Sequence, residues 1–213
     1  MIPPGTAADV SLAPLRVDHL RQEQGFTCGP VALLMAMRAF RPEIPLPDAL
    51  AIWRESTLVA SKATSAEGLA LAAARRGFHA RVLRERIGPP FAERIRGQGG
   101  EMPVLDAFFD DTLERARRAG VLIERRAPAA ADVLTAVEGR TPCLMLTDAH
   151  RFDPEESHIP HWVLALRREG DQIVFHDPQL PAGPTLRPAK ALDDLLGFQD
   201  DSALVVVAPT QRF

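Results

Sequence analysis

Cysteine is scarce in this 213-residue chain: only Cys28 and Cys143 occur, and their separation fits neither a disulfide framework nor a zinc pattern such as Cys-x-x-Cys. No apolar stretch approaches the ~20 residues of a membrane span. The opening Met1-Ile2-Pro3-Pro4-Gly5 lacks the basic start and apolar run of a signal peptide. Lysine is nearly absent, Lys62 and Lys190 being the only two, and arginine supplies the rest of the positive charge. That bias reads as codon composition rather than function. The net charge of -3 leaves no electrostatic footprint for nucleic acid or an anionic membrane. Internal repeats and low-complexity tracts are lacking too. These absences lead us to expect a soluble protein of the reducing cytoplasm, where free thiols persist. They also lead us to expect no nucleic-acid partner, no membrane partner, no metal and no cofactor.

What is present is a core. Hydrophobic residues make up 46% of the chain, enough for one well-packed domain at this length. Residues 1–20 read as an irregular N-terminal arm and residues 21–213 as a single domain, helical to about 120 and sheet-forming from about 121. Cys28 to Phe40 is apolar around most of a helical circumference, which suits a helix inside a core. Pro30 is tolerated only in a first turn, so that helix begins at about Cys28. Further helices are expected over Pro47–Glu55, Ser65–Arg76, Pro90–Arg96 and Leu105–Ala119, and alanine-rich Ala127–Ala131 opens another. Short apolar or alternating runs at Val121–Glu124, Cys143–Thr147, His161–Leu166, Ile173–Phe175 and Ala203–Val207 read as strands. Arg168-Glu169-Gly170-Asp171 is a hairpin turn between two of them. The expected class is α+β, a helical part packed on a mostly antiparallel sheet.

The chemistry concentrates around Gln22-Glu23-Gln24-Gly25-Phe26-Thr27-Cys28-Gly29-Pro30. A cysteine at a helix N-terminus meets unpaired N–H groups and the positive end of the helix dipole, and both favour the thiolate. Gly29 removes bulk beside the sulfur and is expected to let a substrate backbone approach. The Cys28 N–H and a glutamine amide, from Gln22 or the nearer Gln24, could bind an oxyanion. A thiol nucleophile needs a base, and the base needs an orienting group. His161 opens a strand after Pro160. Asp177 closes the partner strand sixteen residues on, so the hairpin can set it beside His161, while His176 points to the opposite face.

Gln-x5-Cys-Gly-Pro, then His161-Trp162-Val163, then His176-Asp177-Pro178 resembles cysteine peptidase family 39 and its stand-alone members. These are papain-fold relatives of the bacteriocin-leader peptidases. The order of the pieces and the sixteen-residue His-to-Asp gap carry the likeness. Ile52-Trp53-Arg54-Glu55, Gly68-Leu69-Ala70-Leu71-Ala72 and Arg151-Phe152-Asp153 extend it over roughly residues 20–180. The resemblance implies a papain-like fold, with Cys28 as nucleophile, His161 as general base and acid, Asp177 as orienter and Gln22 as oxyanion donor. Gly29 and Trp162 are the expected substrate-binding residues. One departure stands out: Thr57 to Glu67 replaces a glycine-rich, cysteine-containing segment of those relatives, so the cleft and its substrate are expected to differ.

The expected function is a cysteine peptidase or amidohydrolase acting on a peptide or small amide through a Cys28 acyl-enzyme. Acyl transfer on the same triad and a non-cleaving peptide-binding module are the two rival readings. The family likeness also suggests a peptide-ligating enzyme as a partner in the same pathway. Cys143, within Pro142-Cys143-Leu144-Met145-Leu146, reads as core, and His158-x-x-His161 lacks a third residue to make a metal site. The acidic run Asp153–Glu156 reads as a solvated loop that could form a rim of the cleft.

Overall fold

A computed structural model describes residues 15, 17–45, 48–58, 62–86, 88–97, 99–181 and 183–209. Helix α1 spans Cys28–Arg38, with Pro30 in its first turn and Val31 to Met37 all buried. It ends before Phe40 because Arg41-Pro42 follows. Ala39 and Phe40 turn away instead, and the Phe40 and Arg41 N–H groups both bond the Met37 carbonyl. Helices α2 (Asp48–Ser56) and α3 (Ala66–Arg75) come next. Ser65 caps α3, its Oγ accepting the Gly68 N–H at 3.0 Å, and Gly77 ends the element with a left-handed φ of 75°. Arg76 ties the two helices together, donating to Asp48 at 2.6 Å and to Glu55 at 3.1 Å.

Strand β1 (His79–Arg84) then falls inside the stretch read as helical. Helices α4 (Ala92–Gly97) and α5 (Met102–Arg118) follow. The latter starts earlier than Leu105 because Pro103 fits a first helical turn. The remaining elements are β2 (Leu122–Glu124), α6 (Ala130–Glu138), β3 (Cys143–Asp148), α7 (Ala149–Phe152), β4 (Pro160–Glu169), β5 (Gln172–His176), β6 (Thr185–Pro188), α8 (Leu192–Leu195) and β7 (Ala203–Ala208).

The strands form one seven-stranded sheet in the order β2-β1-β7-β3-β4-β5-β6, in which only the β1–β2 pair is parallel. Two apolar clusters lie on it. Trp162, Leu164 and Leu166 of β4 join the cluster built on α1 and α3, while Val163 and Ala165 join the one built on α6 and α8. That alternation is the period-two signature of a strand covered on both faces. The architecture is therefore α+β with a mostly antiparallel sheet. Among the described residues no helix is long and apolar enough to cross a membrane.

The sheet positions the site. The start of α1 packs against the start of β4, and the β4–β5 hairpin pairs Leu164 with His176. The residue after β5 is thereby carried back toward the residue that opens the buried part of β4.

Candidate active site

Cys28 begins α1 without a side-chain cap, because the preceding Thr27 hydroxyl donates to the Gln24 carbonyl at 2.9 Å instead. The first amides of the helix are thus left for other partners, and Pro30 has none to offer. The backbone N–H groups of Gly29 and Trp162 turn onto the Cys28 sulfur. The N–H of Cys28 itself makes no backbone hydrogen bond among the described residues.

His161 is buried, and its Nε2 donates to Asp177 Oδ1 at 2.6 Å. The other ring nitrogen, Nδ1, is left for the Cys28 thiol, with which the ring also bonds. Asp177 is held in turn by the Gln179 N–H, which donates to the same Oδ1 at 2.9 Å. Burial alone would lower the His161 pKa, but the bonds to Asp177 and then Cys28 outweigh it and raise the value to about 10. Burial pushes the Cys28 thiol up, yet the His161 bond and charge and the two backbone N–H groups bring it below the ordinary thiol value. The pair therefore favours thiolate facing imidazolium. Cys143 is the contrast: burial without a cation pushes it up to about 12.

His176, one residue from Asp177, turns the other way. Its ring meets His19 edge-on at 5.3 Å, and burial, with His19 and Arg167 nearby, holds its pKa down at about 4. The Oε1 of Gln22 is buried with no hydrogen-bond partner among the described residues, and the Gln22 N–H donates to the Pro178 carbonyl at 2.7 Å. The strand-end loop bearing Asp177 is thus tied to the segment just before Cys28. The Gln24 side chain is exposed, and its carbonyl serves the turn into α1.

The expectation for Gly29 needs correcting. A Cβ there would meet Thr64 Oγ1 at 2.4 Å and Trp162 Cδ1 at 3.1 Å, so protein atoms rather than substrate take up the space. Gly29 is buried and does not wall the cavity beside Cys28. Trp162, 3% exposed, does both jobs, packing in the core and lining that cavity. The cavity holds about 350 Å³ and is walled by Cys28, Trp162, Phe26, Thr64, Phe91 and Ile159 among others. Ile159 and Pro160 reach it, but the acidic run Asp153–Glu156 does not; it folds on itself, the Glu155 N–H donating to Asp153 at 3.0 Å. His158 pairs with Asp148 at 2.7 Å, and among the described residues no group of three His, Cys, Asp or Glu side chains is placed to hold a metal.

A family model described as the Peptidase_C39 like family matches residues 17–193. The chain belongs to that family. The structure is similar to a double glycine motif protease from an AMS/PCAT transporter, solved in complex with the leader peptide. There the identity is 15%, the TM-score 0.50, and 94% of this chain and 97% of that one are covered. It is also similar to the peptidase domain of Streptococcus ComA, a bi-functional ABC transporter involved in a quorum sensing pathway. That match has 12% identity and a TM-score of 0.53, and covers 92% of this chain and 100% of the other. At such identities the likeness is one of fold, the papain-like fold of those peptidase domains. Among curated proteins nothing matches.

In this member of the Peptidase_C39 like family, sequence reasoning missed several residues around Cys28. Lys62, Ala63 and Thr64 of the divergent segment wall the cavity, as do Phe91, Arg94 and Ile95. Phe91 has a left-handed φ of 58°, which no sequence signal announces. His19 was overlooked as well: its Nε2 donates to the Asp177 carbonyl at 2.8 Å.

Proposed function

We propose that the chain is a cysteine peptidase or related thiol amidohydrolase that cleaves a peptide or amide bond through an acyl-enzyme on Cys28. One observation carries this reading: His161 stands between the Cys28 thiol and Asp177, bonded to both, and Cys28 itself lines a cavity. Cys28 acts as nucleophile, His161 as acid and base, and Asp177 as the group that fixes the ring. The family's peptidase description and a fold-related protease bound to a leader peptide add support for a peptide substrate.

The Cys28 thiolate attacks the carbonyl carbon, forming a C–S bond while the carbonyl electron pair moves to oxygen. The unbonded Cys28 N–H and the Gln22 amide stabilise that oxyanion, each such donor being worth about 10²–10³ in rate. The imidazolium gives its proton to the leaving nitrogen as the C–N bond breaks. Neutral His161 then takes a proton from water, the hydroxide attacks the thioester, and the thiolate departs. A carboxylic acid is released and the thiolate–imidazolium pair is restored. A reducing cytoplasm, which keeps the thiol free, suits this chemistry.

The test is Cys28→Ala, assayed on a mixed peptide library with circular dichroism and thermal melting as controls for folding. The variant should keep its fold and lose cleavage, and a folded variant that still cleaves would refute the proposal.

A further inference from the structure

The cavity beside Cys28 has two charged walls among the described residues, and both are cationic: Lys62 and Arg94. Neither aspartate nor glutamate lines it there. In a chain with 28 acidic and 25 basic residues, that lining runs against the overall balance. The two cations come from separate segments, Lys62 from the connection between α2 and α3 and Arg94 from α4. Arg96, the other arginine of α4, pairs with Glu93 at 2.7 Å, whereas Arg94 has no ion-pair partner among the described residues.

Lys62 is held in place. The Trp53 indole N–H donates to its carbonyl at 3.0 Å, the Leu58 N–H donates to the Ala63 carbonyl at 2.8 Å, and Thr57 bridges Thr64. Its backbone is left-handed, with a φ of 56°, and so is that of Phe91. A left-handed conformation costs a non-glycine residue about 1–2 kcal/mol. Two of the four such residues described wall this one cavity, and strain of that kind gathers at ligand sites. Phe91, Ile95 and Trp162 also line the cavity, so an anion lodged there meets its two cations beside apolar walls.

We propose that the cavity selects peptides or amides carrying a carboxylate close to the bond that is cleaved, held by Arg94 and Lys62 while Cys28 attacks. The proposal rests on the acyl-enzyme reading for its chemistry, but its binding component stands apart from turnover. The carboxylate can be an acidic side chain or a free peptide C-terminus, and the experiment separates the two.

Calorimetric binding to the Cys28→Ala protein removes turnover from the measurement. The ligands are tetra-alanine peptides with Glu or Gln scanned through each position, and tetra-alanine as free acid or as amide. At one position, or at the C-terminus, the acid should bind roughly tenfold or more tightly than its neutral partner, and added salt should shrink the ratio. Arg94→Ala and Lys62→Ala should each reduce the preference, and Arg94→Lys should retain part of it. A Glu scan that wins identifies a side-chain carboxylate, and a free acid that wins identifies the C-terminus. Equal affinities for acids and amides, or a preference unchanged in Arg94→Ala/Lys62→Ala, would overturn the proposal. Failure of the acyl-enzyme reading shows separately, as an unreactive Cys28 in the intact protein.

Discussion

His161 Nε2 donates to Asp177 Oδ1 across 2.6 Å, and both side chains are nearly sealed from solvent. The contact joins the start of β4 to the residue just after β5, so a single hairpin sets the geometry of the pair. Asp177→Asn keeps the size but not the charge, and the imidazolium loses its partner. Cleavage should fall by about 10²–10⁴-fold. The pH at which Cys28 becomes reactive toward iodoacetamide should move up, which a purely structural role for Asp177 would not produce.

The pH dependence follows from the same pair. His161 is raised from 6.5 to about 10, so the stability it contributes is complete below its unfolded value and is lost as pH rises through about 10. Cys28 is lowered, so the stabilisation of its thiolate is present at high pH and lost as pH falls through the lowered value. Cleavage should hold across neutral pH and decline near pH 10, where His161 can no longer protonate the leaving nitrogen. A pH–kcat/KM profile checks this, and a decline near pH 6.5 would contradict the raised value.

Gly29 tests the packing beside Cys28. Gly29→Ala should destabilise the protein by about 1–3 kcal/mol through overpacking against Thr64 and Trp162. Adding Thr64→Ala removes the atom 2.4 Å from the new methyl and should recover part of the loss. Urea unfolding of the two single variants and the double variant measures the coupling.

A buried ion cluster anchors β1 to the chain before β7. Arg84 donates to Asp201 at 2.9 and 3.1 Å and to Glu67 at 3.3 Å, all three side chains being buried. Arg84→Met leaves both carboxylates unpaired and should cost about 3–5 kcal/mol in denaturant unfolding. Glu67→Gln should cost far less. Burial raises the Glu67 pKa against the pull of Arg84, and its Oε2 makes no hydrogen bond among the described residues.

The same cluster explains what the sequence concealed. His79-Ala80-Arg81-Val82-Leu83-Arg84 lacks a clean apolar alternation because Arg84 is a core residue whose partners lie in α3 and beside β7. Strand β6 was hidden for the opposite reason: it is a short edge element ending in Pro188, with Leu186 and Pro188 exposed. The α1 start and the β4–β5 hairpin were legible because Pro30 and the Arg168–Asp171 turn are local signals. The hairpin brings Asp177 to His161, and the packing of α1 on β4 brings Cys28 to both. The role of Gly29 was not legible, since Thr64 and Trp162 reach it only through tertiary packing. The cations of the cleft were hidden in the same way, on segments joined only by the fold.

The central claim is that Cys28 is a thiolate poised for acyl chemistry. The most direct measurement is the pH dependence of alkylation by iodoacetamide, followed by peptide mass mapping of Cys28 and Cys143. An ordinary thiol, with a pKa of about 8.5, is almost wholly protonated at pH 6. Cys28 should still react rapidly there, slow down in His161→Ala, and leave Cys143 unmodified. If Cys28 at pH 6 is as unreactive as an ordinary thiol and loss of His161 changes nothing, the account is contradicted.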